Sequence, residues 1–444
     1  MLDGIGVRCH DERGFFDPGW MSSSFECSSI MTKSQSAGAS KVGEKLIAVT
    51  LGALISMAAQ AVDAQANPDP VVIGYKYSVS SSVLGETREY LIYLPSSYDD
   101  TKYAPRSYPV LYLLDGGPLF PSAAGVVHYM SSNVNGNTQI PEMIVVAVPN
   151  TDRRRDLTPT HTLLDGDGNE QARLAATGGG DKFLRFFRDE LFPEVESRYR
   201  TMPHRTIVGN SLGGLLALHA LVRSPGLFQG YIANDPSLWW NDQYVLRQAK
   251  KATGLDRRGV QSVFISSAGD INDQMSGMAQ EMTNILSTNG GVNLRVKYRH
   301  FEAEDHGSLY LPGLYYGLKD IFREYDISLD DVFEDTQLTV SHFQRLSKDL
   351  GIDFLPPESL VDSWGQFLLH DLDRPNQALE LFEINASNYP QSANVYVSLG
   401  DAYYEMGKSS LAVENLEKAI EIDPHHFWAD WTRETLGKLR DVRR

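Results

Sequence analysis

Ser211 lies in the stretch Gly-Asn-Ser-Leu-Gly at residues 209–213, which has the spacing G-x-S-x-G. The β-branched residues 205–208 before it predict a short buried strand, and the apolar residues 215–222 after it predict a helix. A serine on a sharp turn between a strand and a helix is raised above the sheet, and the first amides of the helix point at the carbonyl that it attacks. The pattern predicts a nucleophilic serine, with glycine at 209 and 213 because the turn crowds any side chain there.

A nucleophilic serine needs a base, and His306 is the histidine in a suitable position. It belongs to Asp-His-Gly-Ser at 305–308 and directly follows the last predicted strand, residues 294–298. A glycine-flanked loop at that place lets a neutral imidazole reach the serine. We therefore expect His306 to accept the proton of Ser211.

The base in turn needs an acid that orients it, and such sites commonly follow the chain order serine, acid, histidine. The acid should then come after the predicted strand 263–267, within Ala-Gly-Asp-Ile-Asn-Asp at 268–273. We assign Asp270 because it comes first after the strand, and Asp273 is the alternative.

Two backbone amides should stabilise the oxyanion that forms when the serine attacks. One is the amide of Leu212, the residue after the nucleophile, and the other should come from Asp-Gly-Gly-Pro at 115–118, which follows the predicted strand 110–114. Proline has no N–H to donate, so Gly117 is favoured and Gly116 remains possible.

Two further stretches, residues 150–160 and 235–240, also follow predicted strands and are expected to form walls of a substrate pocket. We assign Arg153, Trp239 and Trp240 to this pocket, since arginine and tryptophan could hold an acidic or aromatic acyl group by charge and stacking. The alternative is a structural one, in which the arginines pair with neighbouring aspartates and the tryptophans pack against each other.

Short apolar strands alternate with helical segments over residues 69–326, which predicts an α/β domain with a mostly parallel sheet. The strands predicted at 71–79 and 87–94 form an antiparallel hairpin at its N-terminal edge. Catalytic groups are expected at the C-terminal ends of the parallel strands. The predicted order therefore places the loops with Ser211 and His306 at one edge of the sheet.

The sequence changes character after residue 326, with a linker that contains a helical segment at 327–356 and an internal repeat beyond it. Ala378 matches Ala412 at a spacing of 34 residues, which is the period of tetratricopeptide repeats. Residues 357–444 therefore predict a small all-α repeat domain. About two and a half repeats are marginal for a free-standing array, so they should pack on the preceding domain, on a second copy in a homodimer, or on a protein partner.

Residues 1–61 read as an upstream extension followed by a secretory signal. Lys41 and Lys45 precede an apolar run at 46–59, and a small-residue site predicts cleavage after Ala61, with Ala64 and Ala66 as alternatives. Met31 is the more natural start, so the signal spans about 31–61. The apolar run is short for a membrane span, so the mature chain should have no integral span and should be exported, in a bacterium to the periplasm.

The amino-acid composition and charge exclude several classes of partner and catalytic group. The formal net charge of −17 argues against a nucleic-acid partner. Both cysteines, Cys9 and Cys27, lie before the expected cleavage site, which excludes a cysteine nucleophile in the mature chain. No nucleotide-binding or metal-binding motif is present, so we expect no cofactor and no metal.

With these residues in hand, the chain resembles the esterase D-like branch of the α/β hydrolases through Leu-Asp-Gly-Gly, Gly-Asn-Ser-Leu-Gly-Gly, Asp-Pro-Ser-Leu-Trp-Trp and Asp-His-Gly-Ser. Within that branch it more closely resembles periplasmic siderophore esterases of the ferric-enterobactin and ferri-bacillibactin type, and members with tetratricopeptide segments extend the likeness to the C-terminal repeats. The resemblance implies an α/β-hydrolase fold and hydrolysis of a small-molecule carboxylic ester by Ser211 and His306 through an acyl-enzyme. The residue that supplies the acid varies among siderophore esterases, so the resemblance does not fix which aspartate orients His306. Two alternatives stay open: an acyltransferase of the same fold, and a non-catalytic repeat protein with a relic hydrolase domain.

Overall fold

The computed structural model describes residues 70–132, 138–253, 260–269 and 273–441. Residues Val71–Arg444 form one compact unit. The predicted signal at 31–61, both cysteines and Asp270 lie outside the described residues, and the predicted domain boundaries stay predictions.

Within the described residues, eight strands form one sheet, in the order β1-β2-β4-β3-β5-β6-β7-β8. The strands are β1 Tyr75–Ser81, β2 Glu86–Tyr93, β3 Tyr108–Leu113, β4 Ile144–Ala147, β5 Thr201–Asn210, β6 Gly230–Asn234, β7 Gln261–Ala268 and β8 Leu294–Phe301. The hairpin β1–β2 is antiparallel and pairs antiparallel with β4, whereas all the other pairs are parallel. The predicted α/β-hydrolase sheet with an N-terminal antiparallel hairpin is confirmed.

Helices flank this sheet, and the residues described after β8, up to Asp441, form helices and the turns between them. They are α1 Gly116–Ser131, α2 Arg153–Leu157, α3 Gly180–Phe186, α4 Phe192–Arg198, α5 Leu212–Arg223, α6 Trp240–Lys251, α7 Asp273–Asn289, α8 Tyr310–Ile321, α9 Leu329–Glu334, α10 Leu338–Leu350, α11 Glu358–His370, α12 Pro375–Asn388, α13 Ala393–Glu405, α14 Ser409–Ile422 and α15 Ala429–Asp441. Among the residues that the structure describes, no helix is long and apolar enough to cross a membrane.

The central strands are buried on both faces, which explains why they read as continuous apolar runs rather than alternating ones. In β3, Val110 and Tyr112 face one hydrophobic cluster, and Leu111 and Leu113 face the other. Covered by helices on each side, these strands bring their C-terminal ends to one edge. That edge carries the loops before α1, α5 and α6.

The C-terminal helices confirm the predicted repeats, because small residues sit where helices cross closely. A Cβ on Gly365 of α11 would lie 2.3 Å from the Phe382 ring of α12, and one on Gly400 of α13 would lie 2.6 Å from Leu416 of α14. Only glycine permits such contacts without displacing the neighbouring side chain. The two glycines therefore lie at close helix contacts within two successive helix pairs, α11–α12 and α13–α14.

Candidate active site

Ser211 occupies a sharp turn between β5 and α5, with φ 58° and ψ −115°. A positive φ is costly for serine and persists only where the surroundings impose it. A Cβ on Gly209 would lie 2.3 Å from the Gly213 carbonyl carbon, so position 209 requires glycine. At Gly213 the nearest atom to an added Cβ would be 3.6 Å away, so our steric reason for glycine holds at 209 and not at 213.

The hydroxyl of Ser211 contacts a second serine that our sequence analysis did not single out. Ser237 Oγ lies 3.1 Å from Ser211 Oγ, and the Ser237 amide donates to the Ser211 carbonyl at 3.1 Å. Ser237 is buried, with 2% of its surface exposed. The segment after β6 therefore holds both the backbone and the side chain of Ser211.

His306 follows β8 in a turn that Asp305 stabilises. Asp305 Oδ1 accepts hydrogen bonds from the amides of Gly307 at 2.8 Å and Ser308 at 2.7 Å. These backbone bonds, first that of Ser308, hold the pKa of the Asp305 carboxyl below its usual range. The turn fixes the backbone on both sides of His306, whose side chain is 43% exposed.

The carboxylate that contacts His306 is Asp235, at the end of β6. Its Oδ2 lies 3.0 Å from His306 Nδ1, and its Oδ1 accepts the Ala268 amide at 2.8 Å. The Asp235 side chain is fully buried. A buried carboxylate needs such partners for both oxygens, so the two contacts fix its orientation.

Strand register brings Asp235 beside Ser211. Asn210 of β5 pairs with Asn234 of β6, so Ser211 and Asp235 each come one residue after a paired position. The Ser211 amide donates to the Asn234 carbonyl at 2.9 Å. Ser211, Asp235 and, through its contact with Asp235, His306 therefore share one edge of the sheet.

Asp270, our predicted acid, lies outside the described residues, and its assignment stays a prediction. The preceding Gly269 donates its amide to the Glu304 carbonyl at 2.9 Å. A Cβ on Gly269 would lie 2.1 Å from the Glu302 carbonyl oxygen, so the end of β7 runs close to the chain that leads to His306. Asp235 was missed as a partner of His306 because we searched only after β7. The sequence signal that could have identified Asp235 is its position directly after the apolar strand β6.

The predicted oxyanion donors lie at two helix starts. Leu212 is the first residue of α5, and Gly117 is the second residue of α1. Amides in the first turn of a helix have no acceptor within that helix. The Gly116 amide donates to the Val148 carbonyl at 3.0 Å, whereas Gly117 is exposed, which favours Gly117 over Gly116.

The Arg153 guanidinium is bound to Asp115, the residue just before α1. It donates to the two oxygens of Asp115 at 2.6 and 2.9 Å and to the Asn210 carbonyl at 3.3 Å. Arg153 thus joins the loop after β3 to the residue before Ser211. This is the Arg–Asp clamp that we left open as the structural alternative, although 36% of the Arg153 side chain stays exposed.

The two predicted pocket tryptophans differ in exposure. Trp240 is buried, and its indole N–H donates to the Thr160 carbonyl at 3.3 Å. Trp239 is partly exposed, and a Cβ on Gly166 would lie 3.3 Å from its ring. Trp240 is therefore a packed residue, whereas the Trp239 ring is partly accessible, and the assignment of both to a substrate pocket stays a prediction.

Other histidines have structural partners. His219 is buried on α5 with Nε2 2.6 Å from Asp181 Oδ1, and His128 Nδ1 lies 3.0 Å from the hydroxyl of Tyr93. Neither imidazole contacts a residue of the Ser211 turn in the described contacts.

Comparison with known proteins adds a family to this geometry. Residues 81–307 match the family described as "Putative esterase", and residues 393–426 match the tetratricopeptide repeat family. The ferri-bacillibactin esterase BesA of Bacillus subtilis is 31% identical over 237 residues, which cover 50% of this chain and 81% of BesA. The siderophore enterobactin esterase of Emericella nidulans is 34% identical over 157 residues, 33% of this chain and 52% of that protein.

Solved structures with a similar fold are also found. An IroE-like serine hydrolase from Shewanella oneidensis superposes with a TM-score of 0.63 at 28% identity, over 70% of this chain and 98% of its own. An uncharacterised protein from Capnocytophaga ochracea shares the fold at 16% identity and a TM-score of 0.54, over 83% of this chain and 99% of its own. With its family match over half of its length and its similarity to BesA, the chain belongs to this esterase family and carries tetratricopeptide repeats at its C-terminus.

Proposed function

We propose that this chain is an exported serine hydrolase that cleaves carboxylic esters through an acyl-enzyme intermediate. The observation that carries the proposal is the 3.0 Å contact between His306 Nδ1 and the buried Asp235, at the sheet edge where Ser211 occupies its strained turn. An ionised carboxylate only accepts hydrogen bonds, so Nδ1 carries the proton and Nε2 is the basic nitrogen. This is the tautomer that a general base for serine requires.

In the proposed first half-reaction, Ser211 Oγ attacks the acyl carbonyl carbon while His306 Nε2 takes the hydroxyl proton. The amides of Leu212 and Gly117 donate to the oxyanion, and Asp235 stabilises the imidazolium that forms. Collapse of the tetrahedral intermediate breaks the ester C–O bond, and His306 returns the proton to the leaving alcohol.

In the second half-reaction, His306 takes a proton from water as the water attacks the acyl-enzyme. The carboxylic acid leaves, and the proton returns to Ser211. The contact with Ser237 then holds the Ser211 hydroxyl between turnovers.

The relatives support a substrate class. BesA is named for ferri-bacillibactin and the Emericella nidulans protein for enterobactin, both siderophores. We propose siderophore-type esters, or small acyl and aryl esters, as substrates. Trp239, two residues after the Ser237 that contacts Ser211, supplies a partly exposed aromatic ring, which suits an aromatic acyl group.

A fluorophosphonate probe tests the nucleophile. The probe should label the purified protein at Ser211, and Ser211→Ala should abolish the labelling and lower ester turnover on the order of 10⁴-fold. Turnover is measured on a panel of siderophore trilactones, feruloyl and acetyl sugars and 4-nitrophenyl butyrate. Labelling that persists in Ser211→Ala would refute the mechanism.

Export is tested separately, because the predicted signal lies outside the described residues. Expressed with its own leader in a Gram-negative bacterium, the protein should collect in the periplasm with a mature N-terminus at Val62. Leu51→Arg places a charge in the apolar run and should keep the chain uncleaved in the cytoplasm. Uncleaved wild-type protein in the cytoplasm would contradict export.

A further inference from the structure

Two buried carboxylates of α11 contact a bent segment of the chain between the loop after β2 and the start of β3. We call residues 100–104 the strap. Asp362 Oδ2 accepts from the Tyr103 hydroxyl at 3.0 Å and lies 3.4 Å from the Lys102 ammonium, and Glu358 Oε2 accepts the Ala104 amide at 2.8 Å. Glu358 and Asp362 are 3% and 2% exposed. Carboxylates this buried are rare unless they are paired, so the strap is part of what stabilises them.

The repeats themselves hold the other oxygen of each carboxylate. Ser398 of α13 donates to Asp362 Oδ1 at 2.6 Å, and Ser392, just before α13, donates to Glu358 Oε1 at 2.7 Å. Each carboxylate therefore has one oxygen fixed within the repeats and one directed at the strap. Such fixed acceptors are pre-organised for a ligand, because little side-chain freedom is lost on binding.

The strap reaches from α11 towards the start of α15. The Lys102 ammonium lies 5.3 Å from the centre of the Trp428 ring, just before α15. Thr101 lines a cleft of about 470 Å³ with Asp423, His425 and Phe427. The first ten residues of α13, between α11 and α15, are all buried. Ser398, which donates to Asp362, is one of these buried residues.

We propose that α11, α13 and the turn at 424–428 before α15 form a recognition groove for a peptide with adjacent lysine and tyrosine, and that the chain fills this groove with its own strap. Glu358 binds a backbone amide, Asp362 binds the ammonium and the phenol, and the Trp428 ring takes the cation on its face. A partner peptide of the same chemistry binds only by displacing the strap. The proposal does not depend on the catalytic assignment.

The full-length protein allows a direct test with a fluorescein-labelled peptide of residues 97–107, followed by anisotropy. Lys102→Ala with Tyr103→Ala should empty the groove and give saturable binding. A tethered segment has an effective concentration in the millimolar range, so wild type should bind micromolar peptide about 10²-fold more weakly. Asp362→Asn in the double variant should weaken binding at least about tenfold, since it removes a charged acceptor.

A peptide with alanine at the lysine and tyrosine positions is the matched control and should not bind. Equal binding of the peptide by wild type and the double variant would overturn occupation by the strap. Absence of binding to a double variant that keeps the wild-type circular dichroism spectrum would overturn recognition. Lys102→Gln with Tyr103→Phe retains most of the packing, so the same comparison can be made should the alanine variant fail to fold.

Discussion

Asp235 contacts His306 although it follows β6, the strand next to that of Ser211. Adjacent strands are about 4.8 Å apart, so an acid at the end of the neighbouring strand lies within reach of an imidazole directed at the serine. The Ala268 amide holds the second oxygen of Asp235, which ties the carboxylate to the end of β7 as well. Asp235 thus connects three strand ends at one residue.

Replacing Asp235 tests this assignment against Asp270. Asp235→Asn keeps the shape but lets the side chain donate, which stabilises the wrong His306 tautomer, so kcat should fall by about 10²- to 10⁴-fold. Asp270→Asn should change kcat less than about tenfold. Steady-state kinetics on 4-nitrophenyl butyrate measures both variants. The reverse ranking would make Asp270 the acid and Asp235 a structural carboxylate.

At the scale of elements, the Ser211 turn depends on one glycine more than on the other. Gly209→Ala would place a Cβ 2.3 Å from the Gly213 backbone, whereas Gly213→Ala meets its nearest neighbour at 3.6 Å. Overpacking against backbone should cost about 3 kcal/mol of unfolding free energy at 209, and less than about 1 kcal/mol at 213. Urea denaturation compares the two, and equal losses would show that the turn relaxes around the added methyl.

Strand β5 also carries a buried histidine, His204, which should make the folded protein less stable at acidic pH. Burial, with the charge of Arg295 adding to it, lowers the pKa of His204 to about 4 from 6.5. The folded protein therefore binds fewer protons than the unfolded chain between these values, and the unfolding free energy falls as the pH drops from 6.5 towards 4. His204→Phe keeps a ring against Phe322 but cannot be protonated. The unfolding free energy of this variant should therefore decrease less as the pH drops from 6.5 towards 4.

Urea titrations at several pH values between 7 and 4.5 measure this difference. Other titrating groups contribute equally to both proteins, so the difference between wild type and His204→Phe isolates residue 204. A difference that does not change with pH would show that His204 has the same proton affinity in the folded and unfolded chains.

Local pattern was enough to predict the strand, turn and helix around Ser211, because a buried strand and an amphipathic or apolar helix leave periodic traces in the sequence. The period of 34 residues likewise predicted the repeats, since Ala378 of α12 and Ala412 of α14, which match at that spacing, are both fully buried. The contact of Asp235 with His306 could not be predicted this way. It depends on how the loops after β6 and β8 pack, and residue spacing does not encode that packing.

At the scale of the whole molecule, the predicted linker 327–356 contributes to the core. Phe343 and Leu346 of α10 lie in the same hydrophobic cluster as Leu314 and Leu318 of α8, on one face of the sheet. Phe343 is 2% exposed and contacts the Tyr325 ring with 6.1 Å between centres. Helix α10 therefore covers the sheet rather than only connecting it to the repeats.

Phe343→Ala should test this role of α10 against a matched phenylalanine in the repeats. Truncating a buried phenylalanine leaves a cavity and should cost about 3–5 kcal/mol of unfolding free energy. Phe367 of α11 is 44% exposed, so Phe367→Ala should cost less than about 1 kcal/mol.

Urea unfolding is followed by circular dichroism and by the loss of ester hydrolysis. In Phe343→Ala both midpoints should fall together, because the helix stabilises the sheet that positions Ser211. Hydrolysis that survives to the wild-type midpoint would mean that α10 packs on the sheet without stabilising it.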